Sequence, residues 1–364
     1  MATATAAAAA AETLYASHYN GSVYALSLQN TSLSVTAELR TCGSMPSWLT
    51  LDARTETLYC ADESGSLAQG TNGSLTALSV NPLAEMVKTE TLPGGVASLI
   101  YDDRIAIAHY EGSAVSTFSL PLLPSSSSYQ SFTYELATPL FDPVRQDAPH
   151  PHDVLFDPSG EFLLVPDLGA DVIHLFRRAE ERLEACPDLP VRRGDGPRHA
   201  TFSRGYLYVS NELGRTVSVY AVHYGDCLSI QLIQEITPYP TALPSGATPA
   251  EIRAREGKIY VSIRSDAAFA SMDSIVTLSG DDRGLLSFTA MTSSGGTVPR
   301  TFDINKEGNL LAVGNQASSC VAILERNVQT GELGDVLASI QVGPEGVAGT
   351  STGLSSVIWG INKI

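Results

Sequence analysis

The sequence places residues with useful chemistry at recurring positions. His152, Arg198 and Arg300 each directly follow a proline, in Pro151-His152-Asp153, Pro197-Arg198-His199 and Pro299-Arg300-Thr301. Glu212 and Arg264 close the apolar runs Tyr206–Asn211 and Lys258–Ile263, and His109-Tyr110 closes a similar run that starts at Arg104. Arg198, Arg264 and Arg300 would together clamp a carboxylate or phosphate, or stabilise an enolate or oxyanion. His152 or Glu212 would move a proton. Arginines gathered in one place repel one another, and Glu212 alone cannot offset three of them, so a bound anion would relieve the excess. His152, Glu212, Arg198 and Arg264 are therefore the catalytic candidates. Arg300, His109, Tyr110, Asn211 and Trp48 are the candidates for substrate contact.

Plainer readings stand beside these. Glu212 would equally serve as the buried ion-pair partner of Arg198 or Arg264. His109 would suit packing between strands, and Trp48 a pocket wall or the core. His199 points away from Arg198 by strand alternation and reads as structural, and His150 as a loop residue. A serine triad lacks its Gly-x-Ser-x-Gly elbow, and no His-Glu-x-x-His or similar spacing offers a metal site. No metal or cofactor is expected. Five cysteines, an odd number with no Cys-x-x-Cys pair, support neither a disulfide framework nor zinc.

The elements that must position these residues read as β throughout. Short apolar runs such as Glu161-Phe-Leu-Leu-Val and Asn309-Leu-Leu-Ala-Val are mostly bounded by Gly, Asp and Asn. The best helical window, Arg177 to Ala185, is short and charged and reads as a turn or a single helical turn. A unit that opens on Pro or Gly recurs at Pro46, Gly95, Pro151, Pro197, Pro249 and Pro299. A spacing of about 50 residues with several strands per unit is the mark of a β-propeller blade. Six internal units plus one shared between the termini predict an all-β, seven-bladed β-propeller. In the shared blade, Leu354–Trp359 supplies the inner strand and Tyr15–Leu26 the outer ones, which closes the ring. Residues 13–364 are expected to form this single domain, preceded by a loosely attached Ala/Thr-rich segment over 1–12. The Pro/Ser-rich stretches 120–148 and 236–248 read as long loops over one face.

Composition narrows the classes of function. Lys and Arg number 22 against 39 Asp and Glu, a formal charge of −17, which argues against a nucleic-acid partner. Eighteen of the 22 basic residues are Arg, the side chain suited to planar anions. No apolar stretch reaches the roughly 18 residues of a membrane helix. With no evident signal peptide, the cytoplasm is the expected location. The sequons at Asn20, Asn30 and Asn72 matter only if the chain is secreted.

Several of these motifs also resemble a known family. Pro151-His152-Asp-Val-Leu-Phe-Asp-Pro158, Gly196-Pro-Arg198-His-Ala-Thr-Phe, Val209-Ser-Asn211-Glu212-Leu and Ala108-His-Tyr110-Glu-Gly-Ser are similar to segments of the seven-bladed lactonase family. That family holds the propeller-type 6-phosphogluconolactonases and the fungal carboxymuconate-cyclising enzymes. The resemblance spans roughly residues 13 to 360. It implies that His152, Arg198, Glu212 and Arg264 occupy the positions of the muconate-cyclising site, while Pro299-Arg300-Thr-Phe-Asp is closer to the bacterial phosphogluconolactonase pattern. The expected function is opening or closing a lactone on a small anionic molecule. One alternative is recruitment to secondary metabolism, with cyclisation or isomerisation of a larger, more apolar intermediate. A second is a non-catalytic binding platform. An open, Arg-rich mouth favours the first reading, an apolar cavity the next, and a blocked mouth the last.

Overall fold

The structure is a computed structural model that describes residues 11–136, 141–180 and 182–361. Its strands form seven antiparallel sheets, each built outward from one inner strand. The inner strand Pro46–Asp52 packs against Gly95–Tyr101 on one side and Leu354–Trp359 on the other. Pro197–Ser203, Thr248–Arg255 and Pro299–Ile304 touch in turn, so the inner strands ring a central channel. This is a seven-bladed β-propeller.

Burial explains why the strands read as continuous apolar runs rather than alternating ones. The second strand of a blade is covered on both faces by neighbouring blades, so every residue of Thr57–Asp62, Arg104–His109, Phe162–Asp167 and Leu310–Asn315 is buried. Leucines such as Leu58, Leu164 and Leu311 lose all contact with water, each stabilising the fold by about 1.5–3 kcal/mol. The outermost strand Ser32–Arg40 has water on one face and is largely exposed.

The termini close the ring. Glu12–His18 pairs with Leu354–Trp359 in a register that sets Leu14 opposite Trp359 and Ala16 opposite Val357. Ser17 joins Ser355 and Ser356 through their hydroxyls, and Trp359 Nε1–H donates to the Asp303 carbonyl at 3.0 Å. Of the N-terminal segment expected over 1–12, residues 1–10 lie outside the described residues, and Glu12 already opens the first strand.

Two expectations are corrected. The window Arg177 to Ala185 forms a hairpin in which Arg178 pairs with Leu183, because a twisted outer ribbon tolerates this many charges. The cysteines do form disulfides: Cys42–Cys60 and Cys186–Cys227, leaving Cys320 free. Their spacing hid this, since each bond joins segments that only blade packing brings together; Cys186–Cys227 ties one blade to the next. Disulfides persist chiefly in oxidising compartments. Among the described residues, no helix is long and apolar enough to cross a membrane.

Candidate functional site

A β-bulge recurs where the inner strands begin, and it builds the site. The ladder slips between Pro46 and Trp48, Gly95 and Ala97, Pro197 and His199, and Pro299 and Thr301. The skipped residue has no partner across the ladder, and the added twist re-aims its side chain. Arg198 and Arg300 are two such residues, and both line a cavity of about 430 Å³ at the channel mouth. His152 holds the matching place between the Pro151–Asp167 bridge and the Leu155–Leu164 pair, and it lines the same cavity.

A second ring of positions comes from the neighbouring strands. The Pro or Gly that opens a repeat pairs with the last or next-to-last residue of the second strand, and the residue just after that partner faces the mouth. In five blades these residues are Glu63, Tyr110, Glu212, Arg264 and Gln316, all in the cavity wall. Gly196 makes the approach to Glu212 possible. Its φ is +57°, and a Cβ there would stand 2.5 Å from Leu213 Cγ, while its carbonyl accepts the Glu212 N–H at 2.9 Å.

Glu212 is the hub of the wall. Its Oε2 lies 2.6 Å from Arg264 Nη2 and 2.9 Å from Arg198 Nε, and its Oε1 lies 2.7 Å from Arg145 Nη2. Burial alone would raise its pKa, but Arg264, Arg145 and Arg198 hold it well below the ordinary carboxylate range. Arg198 is fully buried, and desolvation together with repulsion from Arg264 and Arg300 pulls it down to about 9, still protonated at neutral pH. Its Nη1 has no hydrogen-bond partner, and neither Arg198 Nε nor Arg264 Nε aims its N–H along a bond, close as Glu212 lies. On the far side of the cavity Arg300 Nη2 reaches Glu63 Oε2 at 3.3 Å, and the same oxygen accepts from Tyr19 Oη at 2.5 Å and Ser47 Oγ at 2.6 Å.

His152 is held between these clusters in its neutral form. Desolvation, then the charge of Arg198, the neighbouring His199 and Arg300, pushes its pKa well down. Tyr110 sets its edge against the ring, with centroids 5.8 Å apart, and stacks face to face on His150 at 3.9 Å. His150 is a loop anchor, bonded through Nδ1 to the Tyr110 carbonyl and through Nε2 to Asp147. Beneath the mouth, His199 Nδ1 lies 3.2 Å from Glu251 Oε1. Burial opposes ionisation of Glu251, but Arg253 and His199 bring its pKa down to about 2.

Of the residues singled out in the sequence, His152, Arg198, Glu212, Arg264, Arg300 and Tyr110 line one cavity. Three substrate-contact candidates do not. His109 is sealed behind the wall on Ser116 Oγ, and burial lowers its pKa to about 4. Asn211 is turned into its blade, donating to Thr216 and Ser218 hydroxyls. Trp48 lies one residue past the bulge position and lines a different cavity. Sequence reasoning missed Glu63, Gln316 and Arg145. Glu63 and Gln316 were legible by aligning Asp62-Glu63 and Asn315-Gln316 with Asn211-Glu212. Arg145 sits in an irregular loop with no repeat to mark it. Among the described residues no group of three or more His, Cys, Asp or Glu side chains is placed to hold a metal. The wall sets four arginines against Glu63, Glu111 and Glu212 and is suited to an anion.

A family model described as "Lactonase, 7-bladed beta-propeller" matches residues 13–348. A protein of Arthroderma benhamiae named "Probable 6-phosphogluconolactonase" is 28% identical over 307 residues, covering 80% of this chain and 76% of that protein. Among solved structures, the periplasmic gluconolactonase of Pseudomonas aeruginosa superposes with a TM-score of 0.80 at 25% identity, over 97% of this chain and 100% of that one. A Bacteroides fragilis structure matches with the same TM-score at 22% identity, covering 96% and 98% of the two chains, and speaks to the fold alone.

Proposed function

This chain belongs to the seven-bladed β-propeller lactonase family, a family of enzymes, and from that footing we propose that it hydrolyses a lactone carrying an anionic group. One observation carries the reading: the buried, partnerless Arg198 Nη1 in a wall with four arginines and three glutamates. A buried guanidinium donor without an acceptor costs stability unless a ligand supplies one. The names of the relatives, 6-phosphogluconolactonase and gluconolactonase, agree with such a ligand.

In the proposed reaction, His152 takes a proton from water as the water oxygen attacks the lactone carbonyl carbon. Arg198 and Arg264 hold the oxyanion. The ring C–O bond then breaks, the departing alkoxide takes the proton from the His152 imidazolium, and the new carboxylic acid releases its own proton to solvent. Glu212 is too strongly ionised to be an effective base, and its part is to fix three guanidiniums. His152 in the empty site is a weak base, because Arg198 and Arg300 oppose its protonation. A bound anion offsets those charges and raises its basicity, so the anionic group of the substrate both anchors it and readies the base. The same groups would serve ring closure on a carboxylate. The polar wall gives no support to the larger apolar substrate.

The test follows proton release from 6-phosphogluconolactone and gluconolactone, and in parallel the loss of 3-carboxymuconate. A lactone should open faster than it does unaided, the phosphorylated one fastest. Arg198→Ala should cost about 2–4 kcal/mol of transition-state stabilisation. No turnover above the spontaneous rate with any of these compounds overturns the proposal.

A further inference from the structure

The inner strands run from the mouth to the opposite end of the channel, and residues further along them line a second cavity of about 670 Å³. On Thr248–Arg255 the mouth takes Thr248 and the far cavity takes Arg253; on Pro299–Ile304 the mouth takes Arg300 and the far cavity takes Asp303. The two ends differ in charge. The far cavity carries Glu12, Asp153, Asp303 and Glu307 against Arg253 and Lys306. Arg253 is already engaged, its Nε 3.5 Å from the fully buried Glu251. Asp153 and Asp303 accept backbone N–H groups, Asp153 also lies 3.7 Å from His199 Nδ1, and Arg253 acts on both through its charge. Burial raises the Asp303 pKa, and the charge of Arg253 with the backbone N–H groups of Trp359 and Ile304 offsets this only in part. The chain has two tryptophans, and both line this cavity.

We propose that the far end of the channel is a second binding site, which takes a small organic cation with an ammonium or quaternary ammonium head against Trp48 and Trp359 and its charge on Asp303 and Asp153. Indole faces attract such heads, and most strongly where water is excluded. Carboxylates supply the charge, and Thr50 and Ser98 add hydroxyls to the wall. An anion is disfavoured here for the same reason that it suits the mouth.

The tryptophans report on the site directly, because none lines the mouth. The full-length protein is titrated with benzyltrimethylammonium chloride, with benzoate and benzyl alcohol as anionic and neutral controls, while tryptophan emission and, separately, calorimetric heat are recorded. The cation should give a saturable change that weakens with added salt, and the controls should give none. Asp303→Asn should weaken binding about tenfold, as loss of one desolvated charge contact would. If that variant does not fold, Glu307→Gln, at an exposed position, should weaken it about two- to threefold through the same charge. No saturable signal by either method, equal binding of benzoate, or unaltered affinity in the folded variants overturns the proposal. Lactone turnover at the mouth is a separate measurement, so either site can fail without the other.

Discussion

Replacing Glu212 by Gln removes the one charge that three guanidiniums share, while keeping the side-chain shape. The contacts are 2.6, 2.7 and 2.9 Å, and Arg198 and Glu212 are both buried. Unit charges about 4 Å apart interact by about 4 kcal/mol at an effective dielectric of about 20. Removing one partner of a buried pair costs about 3–5 kcal/mol. Arg145 is partly exposed and can turn to water, and Gln can still accept a bond, so the lower end, about 3 kcal/mol, is expected. Acid should modulate the loss. The Glu212 pKa is lowered in the folded protein, so its contribution is complete above the unfolded value of about 4.3 and fades as pH falls toward the folded value. Urea unfolding at pH 7 and pH 3 would then show a wild-type advantage at pH 7 that narrows at pH 3. Kinetics separate the roles: a holding residue raises KM for an anionic lactone and lowers stability, whereas a proton carrier lowers kcat and leaves stability nearly intact. An advantage below about 1 kcal/mol at pH 7, or one that does not narrow in acid, refutes the argument.

Other expectations follow from the same geometry. His152→Ala should lower kcat more than KM, and a KM effect alone would count against its proton role. Activity should survive EDTA, and loss on chelation restored by a divalent ion would reject the nitrogen-based site. Thiol titration of the denatured, unreduced protein should find Cys320 alone, and all five cysteines after reduction. Breaking Cys186–Cys227 by double Ser substitution should cost about 2–4 kcal/mol of unfolding free energy measured in urea, as for a loop of this size. Deleting Glu12–His18 should collapse thermal stability by opening the closing blade; an unchanged melting temperature would contradict closure.

The fold was legible because a repeat writes its signal many times. Each unit opens on Pro or Gly and holds a run buried on both faces, so the spacing of Pro46, Gly95, Pro151, Pro197, Pro249 and Pro299, with the half-blades Tyr15–Leu26 and Leu354–Trp359 at the two ends, sets the blade count and the terminal closure. Weaker, one-off signals failed. Cys42 and Cys60 meet only once a linker folds back on its blade, and nothing local marks that approach. Arg177–Ala185 carries a helical pattern of charge, but tertiary context makes it an edge ribbon. At the mouth, His152, Arg198, Glu212, Arg264 and Arg300 were found from the repeat, Glu63 and Gln316 were missed though the same repeat marks them, and Arg145 could not be found, because a loop residue reaches the site through a path that no periodicity describes.

The misplaced candidates show which rule was incomplete. Trp48, His109 and Asn211 all lie at strand ends, as do Arg198 and Glu212, so strand ends alone do not select the mouth. The bulge does. In four blades it leaves one inner-strand residue unpaired, and at Arg198 and Arg300 that residue lines the cavity, while the residues next to the bulge, Trp48 and His199 among them, keep to the ladder. Across the ladder, Asn211 and His109 pair with the first residue of the inner strand and turn into the blade, and the next residues, Glu212 and Tyr110, face the cavity. A shift of one residue therefore separates packing from site. Ser47 and Val96 hold the bulge positions of two other blades, where Ser47 Oγ already bonds Glu63 of the wall and Val96 is packed in the core. Val96→Arg, at a buried position, should destabilise the blade unless the new guanidinium reaches the cavity and an anion occupies it. Its melting temperature should rise with phosphate concentration more steeply than that of the wild type, and parallel slopes would show that this position does not open into the site.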